Sequence, residues 1–228
     1  MARNQRKTRQ QKANDANEAK LQPFAPKTNN QKRFLDSIYN NSISFGVGAP
    51  GTGKTIIALH AAVKFLENNW INKVYYLRSD VESPDYRSRG ALPGEANEKF
   101  KPLLAPLTCN LKKLLTQSKI DYLINKGIIE GLWIEDIRGM SLDNAFLLAD
   151  ECQNMTPHSI KTILTRIGEN STFILTGDPN QRDARFNDGL SDAVDKLEGL
   201  DDCGIVRFKK EDIVRHPLIQ SILERYEC

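Results

Sequence analysis

The stretch that decides the fold is residues 48–55, which read GAPGTGKT. They fit the pattern G-x-x-x-x-G-K-[ST], whose glycines let consecutive backbone N–H groups turn inward around phosphate oxygens. In this pattern Lys54 reaches the β- and γ-phosphates, and the hydroxyl of Thr55 is a ligand of Mg²⁺. Residues 43–46 predict a short strand before the loop, and residues 55–66 predict a helix after it. We therefore expect a nucleotide here, with its phosphates at the N-terminus of the helix.

A second motif supplies two neighbouring carboxylates. Residues 144–151 read NAFLLADE, an apolar strand pattern that ends in Asp150 and Glu151. At the end of a strand, Asp150 would hold Mg²⁺ through its waters and Glu151 would polarise an attacking water. The pair follows Lys54 by about ninety-five residues. The glutamate favours hydrolysis over phosphorylation of a small molecule, and the lack of an N-K-x-D sequence disfavours a GTPase.

Short apolar segments alternate with helical patterns along the rest of the chain. This alternation predicts an α/β fold with a mostly parallel sheet and helices on both faces. Residues 83–107 contain four prolines and are predicted to be mostly loop with short helical pieces. The remaining predicted strands are 74–77, 128–134, 145–149, 173–175 and 204–208, and the remaining predicted helices are 157–166, 190–198 and 217–227.

Charge is distributed unevenly along the 228 residues. Residues 1–20 carry six basic and two acidic side chains, whereas the rest of the chain is nearly neutral. We predict that residues 1–22 form a basic, disordered tail and that residues 23–228 form one domain. The tail has two open interpretations, contact with nucleic-acid phosphates or a solubilising leader.

Composition argues against a membrane or secreted protein. The mean hydropathy is −0.49 and no apolar run is long enough to span a bilayer. The basic start is not followed by the apolar region of a secretory signal. The four cysteines form no C-x-x-C pair, so we expect free thiols and a cytoplasmic location. We expect Trp70 and Trp133 to lie in the core.

Further segments resemble those of the PhoH-like family of P-loop ATPases, which is related to the core of superfamily 1 helicases. They are residues 92–95 (LPGE), 150–154 (DECQN), 164–168 (LTRIG), 176–183 (TGDPNQRD) and 212–217 (DIVRHP). The resemblance runs from about residue 28 to residue 227. It implies a single RecA-like P-loop domain that binds ATP with Mg²⁺ and hydrolyses ATP.

The resemblance also implies roles for individual side chains. Gln181 is similar to a glutamine that senses the γ-phosphate or orients the attacking water. Gln31 looks like the glutamine that reads the adenine edge in related helicases. Arg215 resembles an arginine finger, which neutralises charge on the transferring phosphoryl group. Arg78 is a further candidate for a phosphate or nucleic-acid contact, although Ser79 stands where the family has proline.

The candidate residues fall into three groups. The catalytic candidates are Lys54, Glu151, Gln181 and Arg215, and the candidate metal ligands are Thr55 and Asp150. The candidate nucleotide-binding residues are Gln31, Gly48, Ala49, Pro50, Gly51, Thr52, Gly53, Lys54, Thr55 and Ile56.

The chain has room for only one RecA-like domain, whereas superfamily 1 helicases place the nucleotide between two. The arginine must then come from the same domain or from a neighbouring copy. We expect a homo-oligomer in which Arg215 completes a neighbour's site, and the resemblance points to a hexamer. It also implies coupling of hydrolysis to RNA or single-stranded DNA. The alternative is an ATP-driven switch or assembly factor that acts on a protein partner. A non-catalytic nucleotide-binding module is disfavoured because Glu151 and Gln181 are present.

Overall fold

Within the described part of the chain, six strands form one sheet in which every pair of neighbours is parallel. The computed structural model describes residues 21–78, 101–182 and 188–214, together with Arg225. The strand order is β3-β2-β4-β5-β1-β6, so β5 lies between β1 and β4. The strands are β1 (Ile43–Gly48), β2 (Lys73–Arg78), β3 (Ile129–Leu132), β4 (Ala145–Asp150), β5 (Thr172–Gly177) and β6 (Cys203–Phe208).

Helices cover both faces of this sheet, as the sequence predicts. The helices are α1 (Asn29–Asn40), α2 (Lys54–Glu67), α3 (Lys101–Leu111), α4 (Gln117–Asn125), α5 (Pro157–Leu164) and α6 (Gly189–Leu197). Residues of α1–α4 share one apolar core with the sheet, and residues of α5 and α6 share the other. Strand β4 contributes Phe146 and Leu148 to the first core and Leu147 and Ala149 to the second, because successive side chains point to opposite faces.

Side chains at the N-termini fix where four of these helices begin. Thr28, Thr116, Thr156 and Asp188 each accept a hydrogen bond from the backbone N–H three residues later. Such a cap satisfies one of the amide groups that the first helical turn leaves unpaired. Helix α2 differs because Gly53 precedes it and makes no side-chain cap.

Helix α3 includes one of the short helical pieces expected within the proline-rich stretch 83–107. Residues 101–107 of that stretch belong to this helix, which contains Pro106. This proline removes one backbone hydrogen bond. The helix nevertheless buries Leu103, Leu104, Leu107 and Leu111 against the core, which offsets that loss. Residues 92–95 and the predicted helix at 217–227 lie outside the described residues, apart from Arg225.

The predicted boundary at residue 22 stays a prediction, since residues 1–20 lie outside the described ranges. The residues beside it already contact the domain. Leu21 packs against the core, and the amide of Gln22 donates to the carbonyl of Leu114 at 2.8 Å. In the described part of the chain, no helix has the length and apolar character needed to cross a membrane.

The two tryptophans differ in their exposure. Trp133 is partly buried against the core, as predicted. The prediction for Trp70 is wrong, because its side chain is 52% exposed. Trp70 follows α2 and makes edge contacts with Phe65 and Tyr39, so its buried edge packs while the remainder faces solvent.

Candidate active site

The loop between β1 and α2 is shaped by its glycines. Gly48, Gly51 and Gly53 have φ values of 129°, 79° and 88°, a region that side chains disfavour. A Cβ atom at Gly48 would also collide with the carbonyl oxygen of Phe208 on β6. The loop therefore needs glycine both for its backbone conformation and for its close contact with the neighbouring strand.

Lys54 closes against this loop. Its Nζ donates to the carbonyl oxygens of Gly48 and Ala49 at 2.5 and 2.8 Å. The hydroxyl of Thr52 also donates to the carbonyl of Ala49, at 2.9 Å. The ammonium group is thus held at the start of α2, where the positive end of the helix dipole also favours an anion.

Asp150 and Thr55 meet below the loop. The hydroxyl of Thr55 lies 3.4 and 3.2 Å from the two carboxylate oxygens of Asp150. Thr176, on the intervening strand β5, donates to Asp150 at 2.6 Å, and the hydroxyl of Tyr76 donates at 3.4 Å. Burial raises the pKa of Asp150, whereas the hydrogen bond from Thr176 opposes this rise. Burial and the nearby Asp150 raise the pKa of Tyr76, which keeps its hydroxyl protonated.

The donor atoms here suit Mg²⁺. A hydroxyl and a carboxylate are hard oxygen ligands, and Mg²⁺ completes its octahedron with water and phosphate oxygens. Within the described ranges, no cluster of three or more His, Cys, Asp or Glu could hold a metal ion. A magnesium ion at Thr55 and Asp150 would therefore depend on the bound nucleotide for further ligands.

Glu151 adopts an unusual backbone conformation. Its φ and ψ are 56° and 39°, in the left-handed region that costs a non-glycine residue about 1–2 kcal/mol. Its Oε2 accepts from the Nε2 of Gln153 at 2.8 Å, and its Oε1 lies 3.7 Å from the Nη2 of Arg78. Strain of this kind clusters at functional sites, so the conformation supports a catalytic role for Glu151.

Gln153 connects Glu151 to the loop after β5. Its amide nitrogen donates to Glu151, and its Oε1 accepts from the backbone N–H of Asp178 at 3.1 Å. Asp178 begins the short 3-10 turn Pro179–Gln181, in which the amide of Gln181 donates to the carbonyl of Asp178 at 2.9 Å. The buried Gln153 therefore joins the two segments that hold Glu151 and Gln181. Gln153 has no role among the sequence predictions, although it lies in the segment DECQN.

Replacing Gln153 by methionine tests this connection. Methionine has a similar length but loses both hydrogen bonds, so Glu151 and Gln181 lose their common support. If the site hydrolyses ATP, as the sequence predicts, kcat is expected to fall about tenfold while KM changes little, as for a residue that acts through others. Gln117→Met, on the exposed start of α4, is the control. An unchanged kcat would show that the two segments keep their geometry without Gln153.

The described catalytic and metal-ligand candidates line one cavity of about 430 Å³, a volume typical of small-ligand sites. Its lining includes the predicted residues Lys54, Thr55, Asp150, Glu151 and Gln181. The loop contributes Pro50, Gly51, Gly53 and Ile56 to the lining. Gly48, Ala49 and Thr52 are not part of the lining and instead hold Lys54 and shape the loop.

Gln31 also lines the cavity, beside the phosphate loop. It is 3% exposed, with its Oε1 accepting from the backbone N–H of Lys27 at 2.6 Å and its Nε2 donating to the carbonyl oxygen of Thr52 at 2.9 Å. An amide group has two donor hydrogens and two acceptor lone pairs, so each end keeps one site for a base. The remaining lining residues had no role in the sequence prediction, and they are Phe24, Ala25, Lys27, Asn110, Lys113, Gly177, Asp178 and Val214.

Arg215 lies outside the described residues. The residue before it, Val214, lines the cavity and donates its backbone N–H to the carbonyl of Gly51 at 3.1 Å. The structure thus brings together every described catalytic and metal-ligand candidate. The last described residue before Arg215, Val214, contacts the phosphate loop.

The fold and this loop define a class of protein, the P-loop nucleoside triphosphatases with a RecA-like domain. Among solved structures, the chain is similar to the large terminase of a thermophilic bacteriophage in complex with ADP. The similarity has a TM-score of 0.52 at 15% identity, and it covers 90% of this chain and 50% of the terminase chain. At this identity the likeness supports the fold alone.

The family follows from sequence comparison. The PhoH family, described as PhoH-like protein, matches residues 23–227, and the chain belongs to this family. It is 38% identical over 211 residues to a PhoH-like protein of Bacillus subtilis, covering 92% of this chain and 66% of that protein. It is 34% identical over 208 residues to Protein PhoH of Escherichia coli K12, covering 90% and 58%. The chain therefore spans less than two thirds of these relatives' length.

Proposed function

We propose that this chain hydrolyses ATP with the help of Mg²⁺ and couples hydrolysis to the binding of RNA or single-stranded DNA. The observation that carries the proposal is the meeting of Lys54, the Thr55–Asp150 pair and Glu151 in one cavity. A phosphate anion, a divalent cation and an attacking water each have a suitable group there.

Each group has a defined task in this proposal. Lys54 exchanges carbonyl partners for phosphate oxygens, Thr55 and Asp150 hold Mg²⁺, and Gln31 contacts the adenine edge. Magnesium, when bound, neutralises charge on the β- and γ-phosphate oxygens. Glu151 orients a water and accepts its proton as the water oxygen bonds to the γ-phosphorus. The bond from that phosphorus to the bridging oxygen breaks, which yields ADP and phosphate, while Gln181 contacts the γ-phosphate or this water.

We also propose that Arg215 stabilises the transferring phosphoryl group and that it does so in a neighbouring copy of the chain. An arginine that acts in a neighbouring copy requires a homo-oligomer, and the resemblance to the PhoH-like family points to a hexamer. The backbone N–H of Val214 donates to the carbonyl oxygen of Gly51 in the same chain. The competing arrangement is therefore one in which Arg215 acts on the site of its own chain.

The nucleic-acid part rests on the likeness to the superfamily 1 helicase core and on charge. The six basic side chains among residues 1–20 suit a phosphate backbone, which binds lysine and arginine with release of counterions. Arg78 adds a guanidinium group close to Glu151. A cytoplasmic location accompanies this proposal, because the cysteines are expected to be free thiols.

The test is the steady-state rate of ATP hydrolysis with and without single-stranded RNA and DNA. Salt is held low and constant, because backbone contacts weaken steeply as it rises, and Glu151→Gln supplies the background rate. We expect hydrolysis that depends on Mg²⁺ and increases several-fold with one of the two polymers. Hydrolysis that neither polymer changes would contradict the coupling.

Hydrolysis that is unchanged by either polymer would favour a switch that acts on a protein partner. One feature of the surface favours this candidate. Tyr39, Trp70 and Leu200 are exposed and line a broad groove formed around the N-terminal ends of β1 and β5. The rest of the groove lining is mostly polar, so these three side chains are the apolar contacts that a protein partner would bury. The groove lies at the opposite end of the sheet from the candidate active site.

A further inference from the structure

Arg78 and Glu151 are neighbours because of the strand register. Strands β2 and β4 are adjacent and parallel, and Arg78 pairs with Asp150 at the end of this ladder. Glu151 is the next residue along the chain, and its Oε1 lies 3.7 Å from the Nη2 of Arg78. The arginine side chain is 32% exposed and the glutamate side chain 37%. Glu151 lines the cavity whereas Arg78 does not, and both side chains of the ion pair are partly open to solvent.

We propose that Arg78 is an exchangeable restraint on Glu151: its guanidinium holds the carboxylate until a phosphate group of a nucleic acid takes its place as partner. This inference rests on the proposed function, in which Glu151 is the base and a nucleic acid stimulates hydrolysis. It adds Arg78 as the group through which nucleic-acid binding would change the state of Glu151.

The two oxygens of the Glu151 carboxylate are held in different ways. Oε2 accepts from Gln153, which is buried and also tied to Asp178, so this partner is fixed. Oε1 faces Arg78, at a separation longer than the roughly 2.7–2.9 Å of a charge-assisted hydrogen bond. Exposed ion pairs without such a bond are weak. Oε1 is therefore the oxygen that can be released, and an oxygen free of a cation is what an attacking water needs.

The chemistry of Arg78 favours phosphate as the competing partner. A guanidinium group binds phosphate through two parallel hydrogen bonds and is always charged. A nucleic acid also presents many phosphates in a row, so its binding is strengthened by counterion release. A phosphate at hydrogen-bonding distance would thus replace a carboxylate that lies 3.7 Å away. The Arg78 side chain is partly exposed, so it can be reached from solvent.

The test compares Arg78→Ala and Arg78→Lys with the wild type. Arg207→Ala is the matched control, because Arg207 forms an exposed ion pair with Glu198 on the edge strand β6, away from Glu151. ATP hydrolysis is measured with and without single-stranded RNA and DNA, oligonucleotide binding is measured across a salt series, and binding of a fluorescent ATP analogue shows that each variant is folded.

Arg78→Ala is expected to raise the rate without nucleic acid by about two- to five-fold, since an exposed ion pair restrains weakly. Stimulation is expected to disappear, and the slope of log affinity against log salt is expected to fall by about one phosphate contact. Arg78→Lys, which keeps the charge but loses the two-pronged geometry, is expected to lie between the wild type and Arg78→Ala. The control is expected to behave as the wild type.

A rate for Arg78→Ala at or below that of the wild type, without nucleic acid, would overturn the restraint, whether or not stimulation survives. A higher rate in a protein whose wild type is not stimulated would support the restraint and contradict nucleic-acid coupling. The failure of the inference and the failure of the proposed function are therefore separate results.

Discussion

Glu151→Gln is expected to lower kcat for ATP hydrolysis by about 10²- to 10³-fold while ATP still binds. General-base catalysis contributes about this much, and an amide cannot accept the proton of the attacking water. The substitution keeps the size of the side chain and an oxygen that can accept from Gln153, so the neighbouring structure is expected to persist. Hydrolysis is measured by phosphate release, and ATP binding by titration of a fluorescent analogue.

Glu130→Gln is the control for this substitution. Glu130 lies on β3 in an exposed ion pair with Lys73, outside the lining of the cavity. Glu130→Gln removes the same charge by the same chemical change, and the kcat of this variant is expected to match that of the wild type. Equal rates for Glu151→Gln and the wild type would overturn the assignment of Glu151 as the base.

Lys54→Ala is expected to weaken ATP binding by about 10- to 150-fold and to abolish measurable hydrolysis. The range corresponds to the loss of a hydrogen bond to a charged group, about 1.5–3 kcal/mol. Lys64→Ala, on the same helix α2 but in an exposed pair with Glu67, is the control for loss of a lysine. An affinity for ATP within twofold of the wild type would show that Lys54 does not contact the phosphates.

The same variant tests whether Arg215 acts in a neighbouring copy. Lys54→Ala chains keep Arg215, and Arg215→Ala chains keep the phosphate loop. If the arginine acts in trans, mixing the two inactive chains creates interfaces with an intact loop and an intact arginine, and hydrolysis returns. If it acts within one chain, the mixture stays inactive at every ratio.

The phosphate loop and the Asp150–Glu151 pair could be predicted because the residues that define each motif are consecutive in the sequence. Glycines, a lysine and threonines at fixed spacing require one local conformation, and the structure has it. The parallel sheet was predictable for a related reason, since β5 is a short apolar run between two helical patterns.

Other elements depend on contacts between distant parts of the chain. Helix α1 is mostly polar and is held by Thr28 and by the burial of Phe34 and Ile38. Helix α3 contains Pro106, which local rules count against a helix. In the site, the connection from Gln153 to Asp178 spans 25 residues of sequence and becomes evident only when β4 and β5 lie side by side.

The strand order also affects how the chain matures during synthesis. β1 carries the phosphate loop, but both of its sheet neighbours come late: β5 follows it by about 130 residues and β6 by about 160. At a ribosomal rate of roughly 5–20 residues per second, the interval between synthesis of β1 and synthesis of its first sheet neighbour β5 is on the order of 6–26 s. During that interval an apolar segment has no strand to pair with, and parallel pairing over such a separation is intrinsically slow. The nascent chain is therefore most open to aggregation, and most in need of chaperones, before residue 177 has emerged.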